Sequence, residues 1–124
     1  CQMYLNKGIY GGERYLTAAT VETFTKRNDC FTNNRRGLGF DKPEPDTTKA
    51  SPVCKQSSLN SYGHTGFTGI MAWCDPDNDL IYIFMSNRTY PNEFDNKLVK
   101  ESFRTKIQEA IYKGLGINCR EQIN

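Results

Sequence analysis

Residues 70–85 constrain the fold of this 124-residue chain more than any other segment. They contain two apolar runs, 70–74 and 80–85, and the polar run Asp75-Pro76-Asp77-Asn78-Asp79 lies between them. Apolar runs of this length are typical of strands, and Asp, Pro and Asn in a short connection are typical of a turn. The segment therefore predicts an antiparallel β-hairpin.

The second of these runs has neither charge nor any alternation of polar and apolar residues. Such a pattern is typical of a strand that is buried on both faces and paired on both sides. We expect that a further strand belongs beside residues 80–85 and that this chain does not contain it. Because an uncharged open edge tends to recruit another strand, we also expect the isolated chain to form a homodimer.

The segment before the hairpin predicts a third strand at residues 61–66, followed by a tight connection at 67–69. Residues 37–40 predict a short extended piece. The N-terminal region predicts the last turn of a helix at residues 2–5 with Gly8 as its cap, a turn at Gly11-Gly12, and a second helix that Thr17 caps and that runs to about Lys26.

One long helix is predicted from about Asp95 to Lys113, with Gly114 in the position of a cap. Its apolar residues recur at helical spacing and predict the face that packs on the sheet: Val99, Phe103, Ile107, Ala110 and Ile111. The predicted fold class is α+β, with an antiparallel sheet of three strands packed against this C-terminal helix and against a second helix from the N-terminal half. The whole chain, residues 1–124, is expected to belong to one domain.

The composition excludes several classes of function. The chain has 16 Lys and Arg against 14 Asp and Glu, which gives no reason to expect a nucleic-acid partner. No apolar run approaches the roughly 18 residues of a membrane-spanning helix. The five cysteines form no Cys-x-x-Cys pair, and Asp75, Asp77 and Asp79 lack the Gly and Glu of a calcium loop, so we expect neither a metal nor another cofactor.

The single histidine, His64, lies in the segment Gly63-His64-Thr65-Gly66-Phe67-Thr68-Gly69. A lone histidine is more often a hydrogen-bonded structural residue than a catalyst. The surrounding glycines favour a functional role, because a residue without a side chain lets a ligand or another backbone come close.

Three segments together resemble the C-terminal part of the serine beta-lactamase and penicillin-binding-protein superfamily. They are the segment around His64, the run Trp73-Cys74-Asp75-Pro76 with Asp79-Leu80, and Ser86-Asn87-Arg88-Thr89-Tyr90-Pro91-Asn92. The resemblance is to the branch of class C-like beta-lactamases, D-alanyl-D-alanine carboxypeptidases and esterases. It implies a beta-lactamase-like fold and, by analogy with that superfamily, a periplasmic or cell-envelope location.

The resemblance also implies roles for four residues. His64, Thr65 and Gly66 match the third motif of the superfamily, which lines the active site on a strand. The backbone N–H of Phe67 would be a donor of the oxyanion hole, where one such donor lowers the barrier by roughly 3–4 kcal/mol. His64 would supply hydrogen bonds, and some positive charge when protonated, toward a substrate carboxylate or a catalytic tyrosine.

The nucleophile of that superfamily is the serine of a Ser-x-x-Lys motif, and this chain has none. Thr23-Phe24-Thr25-Lys26 has the spacing but the wrong hydroxyl residue, and the two Tyr-x-Asn matches fall where the superfamily does not place its second motif. We therefore expect the chain to be the C-terminal portion of a hydrolase for a beta-lactam, peptide or ester, inactive alone and partnered by the missing N-terminal part. Its substrate would be a small molecule or peptidoglycan-like. The alternative is a small non-catalytic binding module in which His64 and Trp73 contact the ligand.

Overall fold

The computed structural model describes residues 1–28, 30, 34–94 and 96–119. The helices are α1 (Gln2–Leu5), α2 (Ala18–Thr25), α3 (Lys97–Lys100) and α4 (Phe103–Gly114). The strands are β1 (Ile9–Tyr10), β2 (Glu13–Arg14), β3 (Tyr62–Thr65), β4 (Met71–Asp75) and β5 (Leu80–Phe84). Strands β1 and β2 pair with each other, while β3, β4 and β5 form an antiparallel sheet in that order. The predicted α+β class and the predicted hairpin are confirmed.

The central strand of the larger sheet is β4, which pairs with β3 on one side and with β5 on the other. Trp73 lies opposite Gly63 on one side and opposite Tyr82 on the other. A buried cluster of Val53, Met71, Trp73 and Tyr82 forms the core, and Phe84 packs against it. Trp73 lies at the centre of this core and is only 1% exposed.

Asp75, at the end of β4, connects the sheet to the helix and to a loop. Its carboxylate accepts hydrogen bonds from the Ser58 amide at 2.9 Å, the Ser58 hydroxyl at 2.6 Å, the Asn78 amide group at 3.0 Å and the Tyr112 hydroxyl at 2.8 Å. Burial raises the pKa of Asp75, but the hydrogen bonds outweigh it and the net pKa lies below the usual 3.8. Four donors therefore stabilise the charged form of a side chain that is 1% exposed.

The single C-terminal helix predicted from about Asp95 is wrong. The chain forms α3 and then α4, and Ser102 between them has a left-handed φ of 54°. Helix α3 is capped by Asn96, whose side chain accepts a hydrogen bond from the Val99 amide at 3.4 Å. Asp95 itself lies outside the described residues. Helical spacing of apolar residues continues across this two-residue break, so the spacing could not reveal the break.

The predicted packing face of this helix is also wrong. Gln108 and Tyr112 are the buried residues of α4, while four apolar residues that the spacing placed on the sheet are 40–46% exposed: Val99, Phe103, Ile107 and Ile111. Gln108 Oε1 accepts the Cys54 amide at 2.9 Å, and Tyr112 donates to Asp75. Hydrogen bonds to a buried loop and a buried carboxylate thus orient the helix, and these outweigh its apolar stripe.

The glycine that ends α4 is Gly116, and the predicted cap at Gly114 is wrong. Gly116 has a φ of 76°, its amide donates to Lys113, and the Ile117 amide donates to Tyr112. This pair of hydrogen bonds is the Schellman arrangement, which needs a left-handed residue just after the C-cap. Gly114 is an ordinary member of the helix.

The N-terminal region agrees with the sequence except at two places. Helix α1 ends with the Gly8 amide donating to Met3, and Thr17 accepts the Thr20 amide to cap α2, as predicted. The turn at Gly11-Gly12 joins the short strands β1 and β2, which the sequence did not reveal. Residues 37–40 form no strand; instead Asp41 makes an isolated antiparallel bridge with Gly63.

Strand β5 has no pairing partner other than β4 among the described residues. Ile83 is 57% exposed, so the prediction that this strand is buried on both faces is wrong for the isolated chain. That a further strand belongs beside this edge stays a prediction. In the part of the chain that the structure describes, no helix is long and apolar enough to cross a membrane.

Candidate active site

Strand β3 carries His64 and Thr65 at the outer edge of the sheet. Gly63 exchanges both of its backbone hydrogen bonds with Asp41, at 2.7 and 3.1 Å, so its N–H and C=O point away from β4. Because backbone groups alternate along a strand, the N–H and C=O of Thr65 point to the same edge. Asp41 covers this edge beside Gly63, and the edge beyond Gly63 presents the backbone of Thr65.

His64 is exposed, and its ring is oriented by the neighbouring backbone. Nδ1 lies 2.8 Å from the Thr65 carbonyl oxygen, and since a carbonyl oxygen can only accept, Nδ1 donates. This fixes Nε2 as the nitrogen that remains for other contacts, where it accepts when the ring is neutral and donates when it is protonated. His64 can therefore bind a group at the surface of the sheet.

The three glycines of this segment differ in how closely the surrounding atoms approach the position of a side chain. A Cβ on Gly63 would lie 2.3 Å from the Ala72 carbonyl oxygen and 2.5 Å from the Trp73 ring. Gly69 has a φ of 102°, and a Cβ there would lie 2.4 Å from the Ser86 hydroxyl oxygen. At Gly66 the nearest atoms, both in Ile70, would be at 3.7 Å, which is ordinary contact. Packing within the chain requires glycine at 63 and 69, whereas a side chain at 66 would make only ordinary contact with Ile70.

Phe67 follows directly and turns away from the sheet. The Gly66 amide donates to Ile70 at 2.7 Å and the Gly69 amide donates to Gly66 at 3.0 Å, which closes a tight turn around Phe67. Within the described residues, no acceptor takes the Phe67 amide N–H. The ring is 67% exposed.

Arg88 holds Phe67 from the other side of the turn. Its Nε donates to the Phe67 carbonyl oxygen, its guanidinium carbon lies 4.2 Å from the centre of the Phe67 ring, and its amide donates to Thr68 at 2.9 Å. These contacts join the segment that contains His64 to the segment 86–92. Two parts of the sequence that carry the resemblance thus meet at one end of the sheet.

A cavity of about 430 Å³ lies beside Thr65, and arginine side chains dominate its charge. Arg35 forms a two-point ion pair with the buried Asp41 carboxylate, with both contacts at 2.9 Å. Arg104 donates to the Ile70 carbonyl at 3.4 Å; burial and then the nearby Arg88 guanidinium lower its pKa. A guanidinium still keeps its charge at neutral pH. The cavity therefore favours an anionic group next to Thr65.

No role for Arg88 or Arg104 was predicted from the sequence. Arg88 belongs to segment 86–92, which carries part of the resemblance, but only its contact with Phe67 shows what it does. Arg104 follows the break at Ser102, which places it beside Ile70, and helical spacing carries no signal of that position. The alternative that uses Trp73 as a ligand contact is wrong, because this side chain is buried and its Nε1 donates to Ser61 at 3.0 Å.

Comparison with known proteins places these observations in a family. Residues 3–104 match the family described as Beta-lactamase. The chain is 33% identical over 126 residues to a protein of Escherichia coli O157:H7 named "Putative D-alanyl-D-alanine carboxypeptidase". Proteins with the same name in Salmonella paratyphi B and Salmonella newport are each 28% identical over 123 residues.

The chain belongs to the beta-lactamase family, since the family match covers most of its length. This confirms the resemblance drawn from the segments around His64, Trp73 and Arg88. Each of these three alignments covers 92% of this chain but 28% of the relative. The chain therefore spans less than a third of the length of the curated relatives it matches.

Proposed function

We propose that this chain is the C-terminal portion of a beta-lactamase-like serine hydrolase and forms one wall of its acyl-transfer site. The observation that carries the proposal is the Phe67 amide, which no acceptor takes among the described residues and which directly follows a glycine that packing does not require. An oxyanion hole needs a fixed N–H donor and room for the reacting carbonyl beside it. The Phe67 N–H lies just after the end of β3, and Arg88 fixes its turn by binding the Phe67 carbonyl.

Each residue has a distinct task in this proposal. The serine of the missing part attacks the carbonyl carbon, and the carbonyl oxygen becomes an oxyanion that accepts from the Phe67 N–H. Arg88 stabilises the turn by binding the Phe67 carbonyl, so the donor does not need to reorganise as charge develops. The tetrahedral intermediate then expels its leaving group and gives an acyl-enzyme that water hydrolyses.

The charge at the site supports a substrate with a carboxylate. Thr65 lines the same cavity as Arg35, Arg36 and Arg104. His64 Nε2 adds a donor when its ring is protonated. We infer a peptide or peptide-like substrate that ends in a free carboxylate; the names of the relatives agree with this class. A cell-envelope location follows from such a substrate.

The proposal is tested by comparing the chain, which has no serine nucleophile of the Ser-x-x-Lys type, with a longer polypeptide that contains one. The chain alone, incubated with a fluorescent penicillin, is expected to form no covalent adduct, because it has no Ser-x-x-Lys. A polypeptide extended by the coding sequence that precedes Cys1 is expected to form one. Alanine at the serine of its Ser-x-x-Lys is the matched control and should abolish the adduct. A stoichiometric adduct on the chain alone would contradict the proposal.

A further inference from the structure

A second cavity, of about 380 Å³, lies between α1, α2 and the start of β3. Its apolar lining includes the residues Tyr4, Leu5, Val21 and Tyr62. The strand that carries Thr65 runs from Tyr62, so this cavity lies at the opposite end of β3 from the candidate active site. Its use does not depend on the proposed acyl transfer.

Lys42 is the buried cation of this cavity. The residue is 4% exposed, its Nζ donates to the Asn60 carbonyl at 2.7 Å, and Nζ lies 5.7 Å from the centre of the Tyr62 ring. Asn60 and Tyr62 both line the cavity, so the amine is placed at its wall. Among the described residues, no carboxylate lies within ion-pair distance of Nζ.

The groups around Lys42 favour its neutral form. Burial, and then the Arg27 guanidinium, lower the pKa of the Lys42 amine from 10.5 to about 8, while Asp77 and Asp75 oppose the shift. Both carboxylates are engaged elsewhere: Asp77 accepts from Asn60, and Asp75 from its four donors. At pH 7.4 roughly a fifth of such amines are neutral, against about one in a thousand for an ordinary lysine. Only the neutral amine is a nucleophile.

The charges at the mouth of the cavity favour an anion. Lys7 and Lys26 line it and are exposed, and Glu22 is the acidic residue among the described lining. The cavity thus combines an apolar wall, a buried amine and two further cations. A compact molecule with one carboxylate and one reactive carbonyl matches all three.

We propose that Lys42 is the reactive amine of a covalent ligand site that takes a small aldehyde or ketone carrying a carboxylate. The Nζ lone pair attacks the carbonyl carbon to form a carbinolamine. The carbinolamine then loses water, which contains the former carbonyl oxygen and the two amine protons, and a C=N bond joins Nζ to the ligand. Lys7 and Lys26 offset the charge of the carboxylate.

Glyoxylate with sodium cyanoborohydride tests the proposal, because the reductant converts an imine into a stable carboxymethyl-lysine. The 124-residue chain is treated at pH 7.4, digested and mapped by mass spectrometry. We expect Lys42 to be modified about tenfold faster than the exposed lysines, which follows from its larger neutral fraction and the lower intrinsic nucleophilicity of a weaker base. Equal labelling of all lysines, or sparing of Lys42, would overturn the proposal.

Two comparisons test the ligand class. Glycolaldehyde is small and reactive but neutral, and we expect its preference for Lys42 to be clearly weaker than that of glyoxylate; an equal preference would refute the anionic class. Lys26→Met removes a cation from the mouth of the cavity and should lower the rate of glyoxylate labelling at Lys42 without changing that of glycolaldehyde. If both rates are unchanged, Lys26 does not help to bind the ligand and the assignment of the cavity to an anion fails.

Discussion

Replacement of Asp75 by Asn tests whether one buried carboxylate holds the sheet, the loop at Ser58 and helix α4 together. Asn has the same shape, so the packing is kept and only the charge and one acceptor are lost. Hydrogen bonds to a charged group contribute about 1.5–3 kcal/mol and neutral ones about 0.5–1.5 kcal/mol. Three of the four donors contact Oδ2 and only the Ser58 hydroxyl contacts Oδ1. The new nitrogen is therefore expected at the Oδ1 position, where that hydroxyl can turn and accept.

Weaker hydrogen bonds, partly offset by the removal of a buried charge, predict a loss of about 2–3 kcal/mol in the free energy of unfolding at pH 7. Urea unfolding followed by the fluorescence of Trp73, the single tryptophan, measures this. Asp77→Asn is the matched control, since Asp77 is exposed and contacts Asn60, and it should change the stability by less than about 0.5 kcal/mol.

The loss of stability caused by Asp75→Asn should depend on pH, and its direction follows from the lowered pKa of Asp75. Because the folded-state pKa of Asp75 lies below its ordinary value of 3.8, its stabilising contribution is complete above that value and is lost as the pH falls through the folded-state pKa. The difference between the wild type and Asp75→Asn should therefore be constant from pH 5 to 7 and shrink in stronger acid. A variant as stable as the wild type at pH 7, or a difference that does not change in acid, would refute the reasoning.

Four further predictions follow from the site, the thiols and the sheet edge. Gly63→Ala should destabilise the chain by at least ~2 kcal/mol through contact with Trp73, whereas Gly66→Ala should change stability by less than ~1 kcal/mol in urea unfolding; equal losses would contradict the difference in packing between Gly63 and Gly66. A thiol reagent should modify Cys1, Cys30 and Cys119 rapidly and Cys54 and Cys74 only on unfolding, because the last two are buried and burial raises the pKa of both thiols; five fast thiols would contradict this. In the extended protein, alanine at His64 or Thr65 should lower the acylation rate by about ten- to a thousandfold. Full activity in both variants would show that these two residues do not belong to the active site. Sedimentation at several concentrations should show the isolated chain to self-associate through the free edge of β5; a strict monomer at high concentration would refute that expectation.

The sequence predicted the elements that local chemistry determines. The hairpin β4–β5 follows from two apolar runs and a polar turn, and the start of α2 follows from the hydroxyl of Thr17. The capping of α4 was placed two residues early, at Gly114, because the sequence around Gly114 and Gly116 offers two glycines and only the hydrogen bonds of the last turn choose between them.

The errors concern residues whose partners are far away in the chain. The buried face of α4 is set by Gln108 and Tyr112, which bind the Cys54 amide and Asp75. A polar residue that is buried to satisfy a distant donor looks the same in the sequence as an exposed one. The role of Arg88 could not be predicted for the same reason, since its partner Phe67 is 21 positions away. The motif containing His64 could be found because its residues are consecutive.

The sheet also determines the order in which this region can assemble. Strands β3, β4 and β5 are consecutive in the chain and each pairs only with its neighbour in sequence, among the described strands. Such local contacts close short loops and form quickly, whereas pairing with a remote segment requires a long loop to close first. The edge that carries Thr65 is therefore in place before any distant strand can reach the free edge of β5. We expect pairing of a remote strand with that second edge to be a slow, late step of folding, during which the free edge of β5 can recruit other chains.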